Sequence, residues 1–390
     1  MRDAGARRGV ALTRACYDAH MSGSGRTAPR LTRRALVGGL AALASPGFPA
    51  ERARFPAEAA SYADPATELV VTRLTDPAHT STLPSRSGDA LPRGGAFVLY
   101  SSDRTGRPQA FRMDLRTGES GQLTDAVALV KETLCLTPDG RSVCFFDGPW
   151  LYQTGLSNLR PRRVYAVSQG WELARGFSIS FDGRRAAFVE RRGAMYRLRL
   201  LALPTGSVST VLEAEVPLGD PLIRPRTAGI LYRKGERALW LTGYDGRQNR
   251  QLKLAPGGIG PVHWSREGRA VLYLSYPEDR RSLNSIREHA PEESADQLVS
   301  PTSQFAVFSP NSDASVFVGA SANKASPHVL LVTRATRREF TLCEHRASDA
   351  SAVAPIFSPD SQQVFFHSDT HGKTAIYRTR VDRLVEKTET

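Results

Sequence analysis

A short apolar run, preceded by a polar turn rich in Pro, Asp, Gly and Ser, recurs seven times along the chain. Ser358-Pro359-Asp360-Ser361-Gln362-Gln363 leads into Val364-Phe365-Phe366, and Thr137-Pro138-Asp139-Gly140 into Val143-Cys144-Phe145-Phe146. Ser180-Phe181-Asp182-Gly183, Ser265-Arg266-Glu267-Gly268 and Ser309-Pro310-Asn311-Ser312-Asp313 introduce three further runs, and weaker copies follow Pro92-Arg93-Gly94-Gly95 and Arg224-Pro225-Arg226. The runs end at Tyr100, Phe146, Val189, Tyr232, Tyr273, Val318 and Phe366, so the repeat is about 45 residues long. Short β-rich runs at that period predict an all-β fold, a seven-bladed β-propeller. Asp-Gly and Thr-Gly pairs such as Asp245-Gly246 and Thr117-Gly118 supply the positive φ that hairpins need.

The ends of the chain predict how the ring closes. Residues 68–76 have the pattern of an outer strand with no blade before it, and after Ala375-Ile376-Tyr377 only a short charged tail remains. The expectation is that the N-terminal strand completes the last blade, giving a propeller over 68–385 and removing the exposed edges of an open array. Residues 45–66, rich in Ala and Pro, have the character of a linker. Residues 1–44 have that of an export leader. Arg33-Arg34 precedes an apolar stretch ending in Ala42-Leu43-Ala44, a twin-arginine pattern with a small-residue cleavage site, too short to span a bilayer. Met21 competes with Met1 as the start. The protein is therefore expected outside the cytoplasm, periplasmic or extracellular.

Charge narrows the partners. The formal net charge is +13, of which residues 1–44 contribute +6, leaving a mildly basic +7. That suits an acidic ligand, whereas no basic tract interleaved with aromatics points to nucleic acid. Of the four cysteines, Cys16 lies in the leader, and Cys135 and Cys144 flank one turn where they either pair or act as buried apolar residues. No Cys/His metal spacing, Ser-His-Asp set, P-loop or HExxH is present. A propeller binds at a mouth of its channel, in loops joining one blade's outer strand to the next blade's inner strand. Those loops carry His79, Arg86, Glu132, Arg175, Asp220, Arg224, His263, Gln304, His345 and Asp349. Their arginines suit bidentate carboxylate recognition. His367 and His371, flanking a turn, are expected at the surface.

Ser358–Asp369 with Gly372–Tyr377 resembles the last blade of oligogalacturonate lyases, and Ser101–Gly106 with Met113-Asp114-Leu115 and Gln122-Leu123-Thr124 their first. The resemblance covers most of residues 68–380. It implies cleavage of short pectin-derived galacturonides by β-elimination, with manganese held by histidines and a glutamine. The chain departs from the pattern at those positions. The family's His-Pro-His-Pro stretch is Ala352-Val353-Ala354-Pro355, a strand histidine is replaced near Gln304-Phe305, and Gly-His-Glu-x-Trp becomes Gly260-Pro261-Val262-His263-Trp264. No metal ligand is assigned. On this reading His263 is the base and Arg224 the uronate partner, with His79, Arg86, Gln304, His345 and Asp349 around the substrate. A second reading is a non-catalytic, TolB-like propeller that binds a glycan or an envelope protein at the same mouth.

Overall fold

The computed structural model describes residues 52–84, 86–279 and 281–388. The expected leader lies outside them. The chain forms seven antiparallel sheets, each a blade. Their inner strands, in chain order, are Ser81–Thr82, Leu129–Leu136, Glu172–Ile179, Leu218–Ile223, Gly258–Trp264, Phe305–Pro310 and Ile356–Phe357. These define blades 1 to 7.

The repeated turn follows from its own side chains. In blade 2, Asp139 accepts from the Thr137 hydroxyl (2.7 Å) and the Arg141 amide (3.0 Å), while Gly140 takes φ +68°. Asp182 with Ser180 and Asp360 with Ser358 reproduce the arrangement in blades 3 and 7. Where the glycine is missing, Arg226, Ala314 and Ser361 occupy the left-handed region at φ +57°, +57° and +60°. The conformation is thus kept where the motif looks weak, at a local cost that glycine avoids.

Each apolar run is the second strand of its blade and sends alternate residues to the two neighbouring blades. Seven apolar clusters result, one at each interface. Leu99 with Val143 and Phe145 joins blades 1 and 2, Phe146 with Phe188 joins blades 2 and 3, and Phe365 with Val98 and Tyr100 joins blades 7 and 1. Val70–Arg73 pairs antiparallel with Ala375–Arg380 of blade 7, in register Val71 to Thr379.

Residues 52–66, within the stretch expected to be a linker, contain two short strands. Ala60–Ala63 pairs with Val70–Arg73 as a fifth strand of blade 7, and Arg54–Phe55 pairs with Ser120–Gln122 of blade 1. The segment thereby bonds to both blades at the closure. Its alanines and prolines hide strand character because an outermost strand needs backbone pairing but little side-chain burial. Cys135 and Cys144 stand opposite each other in register but are free thiols, as is Cys343, and all three are buried. Burial pushes the Cys144 thiol up to about 12.

Candidate functional site

The channel is lined by inner strands that share one irregularity. Their register shifts between Val130 and Cys135, Leu173 and Phe177, Gly219 and Leu222, Ile259 and Val262, and Phe305 and Val307. Five blades thus bulge at the same level, and bulges re-aim side chains. Asp220 sits in such a bulge at φ +48°, close against Gly176, where an added Cβ would meet the Asp220 backbone at 2.6 Å. From there its carboxylate accepts from Arg175 Nε (2.7 Å) and Arg233 Nε (2.9 Å). Arg233 also donates to the carbonyls of Ile259 (3.0 Å) and Gly260, so one guanidinium ties blade 4 to blade 5. Burial lowers its pKa, Asp220 opposes that, and Arg175 adds to it.

Blade 1 departs from the repeat. Its inner strand, like that of blade 7, is only two residues long, and residues 86–95 form a crossing segment with a single helical turn at Ser87–Ala90. Arg86 on this segment pairs with Asp89 (Nε–Oδ2 2.5 Å) and donates to the Phe177 carbonyl of blade 3 at 3.3 Å. The Cys135 thiol of blade 2 donates to Asp89 at 3.1 Å. Burial opposes the Arg86 charge, but Asp89, with Cys135 and Asp220, together offset it and the pKa is raised. His263 of blade 5 sets its ring edge-on to Phe308 and donates from Nε2 to the Phe308 carbonyl at 3.0 Å. Nδ1 is then the acceptor nitrogen of a neutral imidazole. Burial holds its pKa down at about 4, the carbonyl contact opposes this, and the Arg86 charge adds to it.

Of the residues singled out from sequence, Arg86 is held by Asp89 and the Phe177 carbonyl, and His263 by the Phe308 carbonyl. Arg224 is committed elsewhere: it stacks on Trp264 and binds the Gly268 carbonyl (2.7 Å) and Glu292 (3.2 Å). It is aligned with Ser265, at the blade turn, because both open the same turn bond. His345 is 2 % exposed with both nitrogens occupied, Nε2 by the Ser321 carbonyl and Nδ1 by the Ala347 amide. Asp349 caps a short 3-10 turn through Ser351. His79 lies in a turn 3.9 Å from Asp103, and Gln304 is exposed at φ +60°. His367 is not at the surface. It is 5 % exposed, accepts from the Leu83 amide through Nε2 and donates through Nδ1 to the Ala352 carbonyl (3.1 Å). His371 is exposed, bonded to the Tyr377 hydroxyl.

Sequence reasoning passed over Asp89 and Arg233 and took Cys135 only as a disulfide partner or a buried apolar residue. Arg233 directly follows the apolar run that ends at Tyr232, and the crossing segment has the turn composition of an ordinary blade start. The break in repeat spacing before blade 1 was the available signal. The positions where the resemblance would place manganese's histidines hold an exposed Gln304 and the methyls of Ala352 and Ala354, which offer it no imidazole. Among the described residues no three His, Cys, Asp or Glu side chains stand close enough to share an ion.

No family model matches the chain. An oligogalacturonide lyase of Pectobacterium atrosepticum is 23% identical over 373 residues, covering 82% of this chain and 95% of that protein. An oligogalacturonate lyase of Dickeya dadantii is also 23% identical, over 380 residues and the same shares. A solved oligogalacturonate lyase in complex with manganese superposes with TM-score 0.80 at 23% identity, covering 85% of this chain and 98% of that one. The oligogalacturonate lyase of Vibrio parahaemolyticus gives 0.79 at 21%, covering 85% and 99%. The chain shares the seven-bladed β-propeller fold of these solved structures.

Proposed function

From that relationship we propose that the protein is exported and acts on short uronate oligosaccharides, cleaving them by β-elimination in the channel. What supports the proposal is the likeness to oligogalacturonate lyases over most of the chain, together with His263, whose Nε2 donates to the Phe308 carbonyl and leaves Nδ1 as the basic nitrogen. A uronate carboxylate must be neutralised before its C5 proton becomes acidic enough to remove, and a guanidinium supplies fixed positive charge without a metal. His263 Nδ1 takes the C5 proton, the released pair forms the C4–C5 double bond, and the C4–O bond breaks. The leaving oxygen is protonated from water. With a pKa of about 4, His263 is fully unprotonated at neutral pH but weakly basic, so Arg86 carries much of the burden.

The test is ultraviolet absorbance of the unsaturated uronate product, with and without added manganese. A rise in the wild type that His263→Ala abolishes is expected, and Arg86→Gln should depress it comparably. A flat trace across pH 5 to 9 in the wild type overturns the proposal. The low basicity of His263 and the poor fit to manganese favour a second reading, a non-catalytic propeller binding an acidic glycan or an envelope protein. Retained galacturonide binding with no product would select the glycan form of that reading.

A further inference from the structure

The positive charge of the chain is not spread evenly. Residues 160–199 hold ten arginines against three acids, a net +7 that equals the whole excess of residues 45–390. This segment is the outer strand of blade 2 and most of blade 3. Its acids are already engaged: Glu172 with Arg191, Glu190 with Arg197 and Arg199, and Asp182 within its own turn. Arg160, Arg184 and Arg185 are exposed and outside these pairs, and so are Arg163 and Arg192.

Arg163 and Arg192 lie over tryptophans. Arg163 sits 4.4 Å from the ring centre of Trp150, which is 37% exposed, and Arg192 sits 4.8 Å from that of Trp171. Trp150 opens the third strand of blade 2 and is in register with Ala166, and Trp171 follows five residues later in the loop to blade 3. Arg192 closes the second strand of blade 3. Turns between second and third strands, and loops from one blade to the next, lie at the same end of a propeller. That is the end where Arg175 meets Asp220 at the channel mouth. A guanidinium held over an indole is pre-organised for a carboxylate, and Trp171 carries Arg197 (3.8 Å) as well as Arg192, whereas the exposed Trp150 can offer indole surface to the C–H face of a pyranose.

We propose that Trp150, Arg163, Trp171, Arg192 and Arg175 form a track across blades 2 and 3 that binds a polyuronate chain outside the channel and leads it to the mouth. The inference rests on the uronate reading of the channel. It extends that reading to chains longer than the channel holds. Repeating carboxylates meet successive arginines, and the gain comes from tethering rather than from new chemistry.

Calorimetric titration of the full chain with trigalacturonate and a dodecamer tests this, on the His263→Ala background so that chains stay intact. The dodecamer should bind about tenfold more tightly than the trimer. Trp150→Ala/Trp171→Ala and, separately, Arg163→Gln/Arg192→Gln should erase that gain and leave trimer affinity unchanged. A gain that survives both double variants, or no gain at all, overturns the track. So does a single-stranded DNA of matched charge that binds as well as the dodecamer, since the surface would then read charge alone. Failure of the channel reading looks different: the trimer does not bind, yet the dodecamer binds and loses affinity in the tryptophan variant.

Discussion

His367 offers a sharp test because its two ring nitrogens are locked in opposite roles. Nε2 accepts the Leu83 N–H and Nδ1–H donates to the Ala352 carbonyl, so a second ring proton would face an N–H donor. Burial depresses the pKa from 6.5 to about 4, the Ala352 carbonyl opposes this, and the Lys131 charge adds to the lowering. Between those values the unfolded chain binds a proton that the folded one refuses. Stability should therefore be lost as pH falls from 6.5 towards 4, up to roughly 3 kcal/mol from this residue. About 2.4 kcal/mol of that falls between pH 7 and 4.5. With a urea slope of about 3 kcal/mol/M, the midpoint should drop by about 0.8 M from this group. The assay is urea unfolding followed by circular dichroism at pH 7, 6, 5 and 4.5, in the wild type and in His367→Gln. Gln lacks the titration, so its midpoint should fall by about 0.8 M less over that range even if it is lower at pH 7. Parallel curves for the two proteins would refute the reasoning, because His367 would then titrate alike in both states.

Two further outcomes follow from packing. Glu190 is fully buried and holds Arg197 (2.6 Å), Arg199 (3.5 Å) and the Tyr165 hydroxyl (2.7 Å) between blades 2 and 3. Glu190→Gln leaves two poorly compensated guanidiniums and should cost about 3 kcal/mol, read as a lower melting temperature. Gly319 in blade 6 faces Phe305 so closely that an added Cβ would lie 2.1 Å from the ring. Gly319→Ala should cost about 1–3 kcal/mol by displacing that buried ring, with a matching drop in urea midpoint.

The repeat made the architecture legible, because turn chemistry and strand alternation are local properties. Asp139, Asp182 and Asp360 bond to residues within three positions of themselves, and Val143, Phe188 or Phe365 bury whichever blade lies alongside. The seven copies therefore specify seven blades without reference to the rest of the chain. The site was legible only in part. Arg86 and His263 were visible as residue types in inner-strand and loop positions, but their partners, Asp89 with the Phe177 carbonyl and the Phe308 carbonyl, are set by how the blades pack. The crossing segment that carries Arg86 replaces a strand the pattern leads one to expect. Composition also could not tell an imidazole facing the channel from His345 and His367, whose nitrogens are spent on backbone groups of other loops. Local sequence determined the blades, their turns and the apolar faces that stack them. Tertiary structure decided which polar side chains share the channel, because those contacts run between blades and depend on bulges and closure that no single repeat encodes.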